Sequence, residues 1–298
     1  MLALIVGRGK LPAKVIGALS ERPLVCALEG HVPDSVQVDM TFRLETFGTL
    51  LLELGGRGVT DVCLCGAIER PTIDPAKLDE ETKPLVPLFM EALSKGDDGA
   101  LRIVMQVFEQ TGFKIRAAHE LIPKVVVEAG VLSARAPRSA HDADARVGKD
   151  IVAEMGKADL GQACVIRKGH VLAREDEAGT DAMLGTLAMT HMARPDAPVE
   201  EWALDDAGEL TEAGRDWLRV MADENHKAPG AGGILFKAPK PEQDRRADLP
   251  VIGPVTVLNA AEAGLDGIAL EAGGVIVIDP KVVLEIIDTM NMVLWGRV

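Results

Sequence analysis

The apolar positions at the start of the chain fall into short runs separated by glycine turns and by stretches with helical spacing. Leu2 to Val6 is a strand-sized run, Gly7-Arg8-Gly9-Lys10-Leu11-Pro12 follows it, and Ala13 to Leu19 repeats at helical spacing. Leu24 to Leu28 predicts a second strand, Phe47 to Leu54 a helix, and Val62 to Cys65 a buried strand ending at Gly66. Strands that alternate with helices predict a parallel sheet receiving ligands at the C-terminal ends of its strands.

Further along, Leu101, Val104, Met105 and Phe108 share one face of a helix, with Asp97 or Asp98 as its N-cap. Lys114 to Ile122 reads as another strand, and Pro123 to Pro137 mixes valines with Gly and Pro as domain-joining segments do. This places a boundary near residue 130, with a Rossmann-like α/β domain over 1–130 and a second α/β or α+β domain over 131–298. The second half predicts a helix around Asp142 to Met155, then a hairpin of Ala163 to Arg167 and His170 to Arg174 around Lys168-Gly169. A helix opens at Gly179-Thr180-Asp181 with Thr180 as cap. Gly233 to Phe236 and Gly274 to Asp279 read as strands, and Val255 to Ala263 and Val282 to Asn291 as helices.

Composition narrows the function. The 298 residues are 47% hydrophobic, enough for substantial cores, which excludes disorder as the main state. Acidic residues outnumber basic ones by 46 to 32, a net charge of −14 that opposes general nucleic-acid binding, so any phosphate must be held by a local basic cluster. Aromatic content of 3%, without tyrosine, argues against base-stacking platforms. Between Asp196 and Glu224, ten acidic residues stand against Arg215 and Arg219, which reads as a solvated helical insertion. Cys26, Cys63, Cys65 and Cys164 lie mostly in apolar runs without metal-site spacing, so buried reduced thiols are expected. The N-terminus lacks the basic start of a signal peptide and no apolar run approaches membrane-span length, which predicts a soluble cytoplasmic protein.

Two segments carry candidate chemistry. The Gly7-x-Gly9 turn would point backbone N–H groups at an anion near the start of a helix, flanked by Arg8 and Lys10. As a dinucleotide fingerprint it lacks the third glycine, since Pro12 stands there, although Glu29 falls where a ribose-binding acid is expected. The block from Lys237 to Pro250 packs Lys237, Lys240, Arg245 and Arg246 with several carboxylates between apolar strands, and three prolines stiffen it. Its cations can neutralise a diphosphate, and Asp248 can hold Mg²⁺ or position water. Thr180, Asp181 and Asp97 are explained by helix capping and also suit phosphate, sugar or metal contacts. The scattered histidines make a histidine-built metal site improbable.

Several stretches together resemble one family, the UDP-2,3-diacylglucosamine pyrophosphatases of the LpxI type in lipid A biosynthesis. They are Gly7 to Pro12, Gly66 with Arg70-Pro71, Lys95 to Asp98, Gly112-Phe113 through Glu120, Asp159 to Gln162, Gly179 to Met183, Lys237 to Pro241 and Arg246 to Gly253. The resemblance implies two domains with the substrate in the crevice between them, and Mg²⁺-dependent hydrolysis to UMP and 2,3-diacylglucosamine 1-phosphate (lipid X). It implies peripheral contact with the inner membrane and leaves a homo-oligomer open. Asp248 matches the catalytic carboxylate and metal ligand. Gly7, Arg8, Gly9, Lys10, Gly66, Ala67, Ile68, Asp97, Ile115, Thr180, Asp181, Lys237, Lys240, Gln243 and Arg246 would bind substrate or product. Three departures stand out: Arg8 occupies the middle of a run that is usually three glycines, Ala178 stands where the family often has Glu, and the acidic stretch from Asp196 to Lys227 is longer than the family pattern. A non-catalytic nucleotide-sugar or lipid-binding protein and a nicotinamide-dependent oxidoreductase remain the alternatives.

Overall fold

The computed structural model describes residues 1–68, 72–93, 97–122, 124–188, 197–246 and 249–298, with 93, 97, 98 and 225 described in their backbone only. The chain divides into two compact units: 1–124 together with 243–248, and 125–242 together with 249–298.

The first unit contains β1 (Leu2–Val6), α1 (Leu11–Ala18), β2 (Leu24–Leu28), β3 (Met40–Phe42), α2 (Phe47–Gly56), β4 (Asp61–Cys65), α3 (Val86–Leu93), α4 (Asp97–Gln110), β5 (Lys114–Ile115) and α5 (Ala118–Leu121). Its strands lie in the order β3-β2-β1-β4-β5 and every pairing is parallel, a Rossmann-like sheet. Both faces are covered, so β1 is apolar at every position. Ala3 and Ile5 join a core with Phe47, Phe108 and Leu54, while Leu4 and Val6 pack with Val15 on the other side. Phe47 lies edge-on to Phe89 and Phe108, with ring centroids 5.7 and 5.2 Å away. The strand expected over Lys114 to Ile122 stops after two residues. Glu120 accepts the Arg116 guanidinium at 3.0 Å and the Ala117 N–H at 3.4 Å, which closes the turn of α5 instead.

The second unit contains β6 (Gly130–Val131), α6 (Ser139–Lys157), β7 (Ala163–Arg167), β8 (His170–Arg174), α7 (Gly179–Gly185), α8 (Val199–Ala203), α9 (Glu212–Glu224), β9 (Ile234–Lys237), β10 (Val251–Ile252), α10 (Pro254–Glu262), β11 (Gly267–Glu271), β12 (Ile276–Val277), α11 (Pro280–Thr289) and β13 (Val293–Arg297). Its main sheet runs β6-β13-β11-β9-β7-β8, parallel at the centre and antiparallel at both edges. The segment expected to form a strand over Gly274 to Asp279 narrows to β12, which pairs with β10 in a separate two-stranded sheet. Where described, the acidic stretch forms α8 and α9, joined by a turn that an antiparallel bridge between Leu204 and Leu210 closes. α9 turns Trp217, Leu218 and Met221 into the core, and Arg215 bonds Glu285 of α11 at 2.8 Å. The four cysteines are buried and unbridged.

Candidate functional site

In the first unit, β1 and β4 are parallel neighbours in the register Val6↔Cys65, so the loops leaving their C-terminal ends start side by side. The two loops are bonded to each other. Gly7 N–H donates to the Cys65 carbonyl at 2.9 Å, Arg8 N–H to the Ala67 carbonyl at 2.8 Å, and Ala67 N–H to the Arg8 carbonyl at 2.9 Å. Glycine is required on both sides. A Cβ on residue 7 would lie 2.3 Å from the Ala67 oxygen, and Gly66, at φ +94°, would place one 2.6 Å from the Gly7 oxygen.

This geometry joins Gly7–Lys10 to Gly66–Ile68 but alters what they can offer. The N–H groups of Gly7 and Arg8, expected to face an anion, are taken by the neighbouring loop. The loops instead present the exposed residues Arg8, Gly9, Lys10, Gly66, Ala67 and Ile68, and one Arg8 nitrogen lies 3.4 Å from the Gly30 carbonyl. Ile115 is 5% exposed and packed in the core, so its side chain lines no open surface. Asp97 begins α4. Glu29, the acid that suggested ribose binding, faces Arg43 at 3.6 Å.

The segment 243–248 groups with this first unit. Gln243 is buried there. Arg246 grips Asp244 through two nitrogens, at 3.0 and 2.8 Å, and bonds Glu109 of α4 with a third. Asp244, and then Glu109, hold the guanidinium pKa above its ordinary value, and Arg246 in turn holds the Asp244 carboxyl below the usual range. Arg246 thus fastens the segment to α4. Asp248 lies outside the described residues.

In the second unit, Lys237 ends β9 and is 7% exposed. Its Nζ donates to Thr180 Oγ1 at 2.6 Å, and the Thr180 hydroxyl donates to Glu175 Oε1 at 2.6 Å. Thr180 is therefore not the helix cap. Ala178 precedes α7, and Thr180 lies in its first turn, buried, with Asp181 exposed beside it. Lys240 forms an ion pair with Asp159, and a Cβ on Gly156 would meet Pro241 at 2.7 Å, so the end of α6 seats the 240–241 turn. Glu175, Asp159, Asp244 and Glu109 received no individual role from the sequence. Asp244 lies two positions from Arg246 inside the basic block and Asp159 in a stretch that carries the resemblance, whereas nothing in spacing announces Glu175 or Glu109.

Fold and site define a two-domain α/β protein with a Rossmann-like first unit and, in its second, a buried lysine at a strand's C-terminal end. Its sequence matches the profile of the LpxI N-terminal domain over residues 1–125 and that of the LpxI C-terminal domain over residues 128–295. A relative from Caulobacter vibrioides, named UDP-2,3-diacylglucosamine pyrophosphatase LpxI, is 33% identical over 300 residues, covering 99% of this chain and 96% of the relative. The chain belongs to the LpxI family.

Proposed function

We propose that this protein hydrolyses the pyrophosphate of UDP-2,3-diacylglucosamine, releasing UMP and 2,3-diacylglucosamine 1-phosphate (lipid X), with Asp248 as the catalytic carboxylate. The likeness of nearly the whole chain to a relative bearing that activity in its name carries the reading.

The chemistry of the site supports it. Hydrolysis of a diphosphate requires charge stabilisation of the phosphoryl oxygens and a positioned water, more than covalent chemistry by the protein. Lys237 contributes a buried ammonium, and a charge-assisted donor acts more strongly in such surroundings than in water. Lys240 is held by Asp159 in the second unit, and Arg246 by Asp244 in the first. Arg8, Lys10, Ile68 and Gln243 of the first unit and Asp181 of the second are proposed as substrate-binding residues on the family likeness alone.

Among the described residues, no group of three or more His, Cys, Asp and Glu is placed to hold a metal ion, so no step is assigned to one. Mg²⁺ dependence, with Asp248 as ligand, remains part of the proposal. Among the described residues no helix is long and apolar enough to cross a membrane, and the lipid substrate is the reason to propose peripheral contact with the inner membrane.

The test is UMP release from UDP-2,3-diacylglucosamine by the purified protein, with and without EDTA, beside Asp248→Ala. The proposal expects release that EDTA suppresses and that the variant loses while keeping its far-UV circular dichroism. Near-normal activity in Asp248→Ala would remove that residue's role. Binding of substrate without UMP would leave a nucleotide-sugar-binding protein.

A further inference from the structure

We propose that Glu175 is a positioning residue that acts through Thr180 to aim Lys237, an inference that rests on the hydrolase reading above. Glu175 follows β8 directly, and its N–H donates to the Ala163 carbonyl of β7 at 3.0 Å. Gly161 presses against it so closely that a Cβ there would lie 2.6 Å from the Glu175 carbonyl oxygen. The carboxylate is held at both ends, Oε2 by the Gln162 N–H and Oε1 by the Thr180 hydroxyl.

The proton directions follow from the groups themselves. An ammonium can only donate, so the Thr180 oxygen accepts from Lys237. The hydroxyl hydrogen must then go elsewhere, and a carboxylate, which can only accept, takes it. The result is a one-way chain from a rigid strand end, through a buried hydroxyl, to the ammonium. An intervening hydroxyl orients the cation without direct contact between the two charges. Glu175 does not itself touch the ammonium through these bonds, which is why its role is positional.

A purely structural tether of Gln162 would show the same bonds, and a double-mutant cycle separates the two. UMP release is measured for Glu175→Gln, Thr180→Val, the pair combined and Thr180→Ser. If Glu175 works through Thr180, each of the first two lowers kcat by about 10- to 100-fold with KM little changed. The double variant is then no worse than the poorer single, and Thr180→Ser, which keeps the hydroxyl, recovers most of the activity that Thr180→Val loses. Glu175→Gln within about twofold of wild type, or losses that multiply in the double variant, would overturn the proposal.

A second readout needs no turnover. Reductive methylation of Lys237, followed by peptide mass spectrometry, is slow in the wild type and faster in both single variants. Equal rates in all three would overturn the relay. A wild-type protein that releases no UMP overturns the hydrolase reading instead, a result distinct from either failure here.

Discussion

Replacing Gly7 by alanine tests how the loops after β1 and β4 are joined. A Cβ at position 7 would lie 2.3 Å from the Ala67 oxygen, 2.7 Å from the Ala67 carbonyl carbon and 2.8 Å from Ile68 Cγ1. Two of these neighbours are backbone, so the 66–68 loop must retreat by about an ångström to restore ordinary contact. That movement loosens the reciprocal bonds between Arg8 and Ala67, now 2.8 and 2.9 Å. At about 1 kcal/mol for each of the two bonds, with about 1–3 kcal/mol for overpacking, Gly7→Ala should cost about 3–5 kcal/mol. Gly9→Ala is the control. Gly9 has φ +102° but no atom within 4 Å of a Cβ, so only the dihedral resists substitution, at about 1–2 kcal/mol.

Urea unfolding followed by far-UV circular dichroism reads the difference. Tryptophan fluorescence supplies an internal reference, because Trp202, Trp217 and Trp295 all lie in the second unit. Gly7→Ala should lower the dichroism midpoint and speed amide exchange in peptides covering 1–10 and 61–68, while the fluorescence transition stays in place. If Gly7→Ala and Gly9→Ala cost the same, close approach of the two loops is not what selects glycine at position 7.

Three further outcomes follow from the structure. Burial alone would raise the Glu45 carboxyl, but the Asp74 N–H and the Arg43 guanidinium outweigh it and hold the pKa at about 2, against an ordinary 4.5. A folded-state value below the unfolded one stabilises above pH 4.5 and is lost as pH falls toward 2, so Glu45→Gln should cost up to about 3 kcal/mol at pH 7 and flatten that acid limb. Unchanged acid sensitivity in the variant would refute this. Burial pushes the Cys26 and Cys164 thiols up to about 12, so iodoacetamide at pH 8 should leave them unmodified in the native protein and label them in urea; native labelling would contradict the packing. Lys237→Met should lower kcat by at least about tenfold while the thermal midpoint holds, since a charge that acts on phosphate is lost and its stem is kept. Full activity in that variant would exclude Lys237 from the chemistry.

The strand-turn-helix rhythm at the start of the chain was legible because the runs Leu2–Val6 and Val62–Cys65 end directly at Gly7 and Gly66, and Phe47–Leu54 at Gly55. β11 and β13 were not, although both are interior strands of the second sheet. Gly267 and Gly296 weaken the strand signal, yet they stand there because backbone passes too close for a Cβ, the Val293 oxygen at 2.5 Å and the Glu128 oxygen at 2.0 Å. Close approach between segments distant in sequence has no local signature. The same holds for the site. The glycine loops and the basic block could be found from composition and spacing, but their partners could not. Glu175, Asp159 and Glu109 come from elements 62, 81 and 137 positions away from the cations they serve. Asp279 at the start of α11, with φ +50°, was likewise unannounced.

The central claim is that the diphosphate is cleaved, and ³¹P nuclear magnetic resonance of UDP-2,3-diacylglucosamine mixed with the purified protein and Mg²⁺ observes that bond directly. The account predicts that the paired anhydride signals disappear while two phosphomonoester signals grow in equal amounts, those of UMP and the sugar 1-phosphate. Anhydride signals that broaden on binding but persist would contradict it.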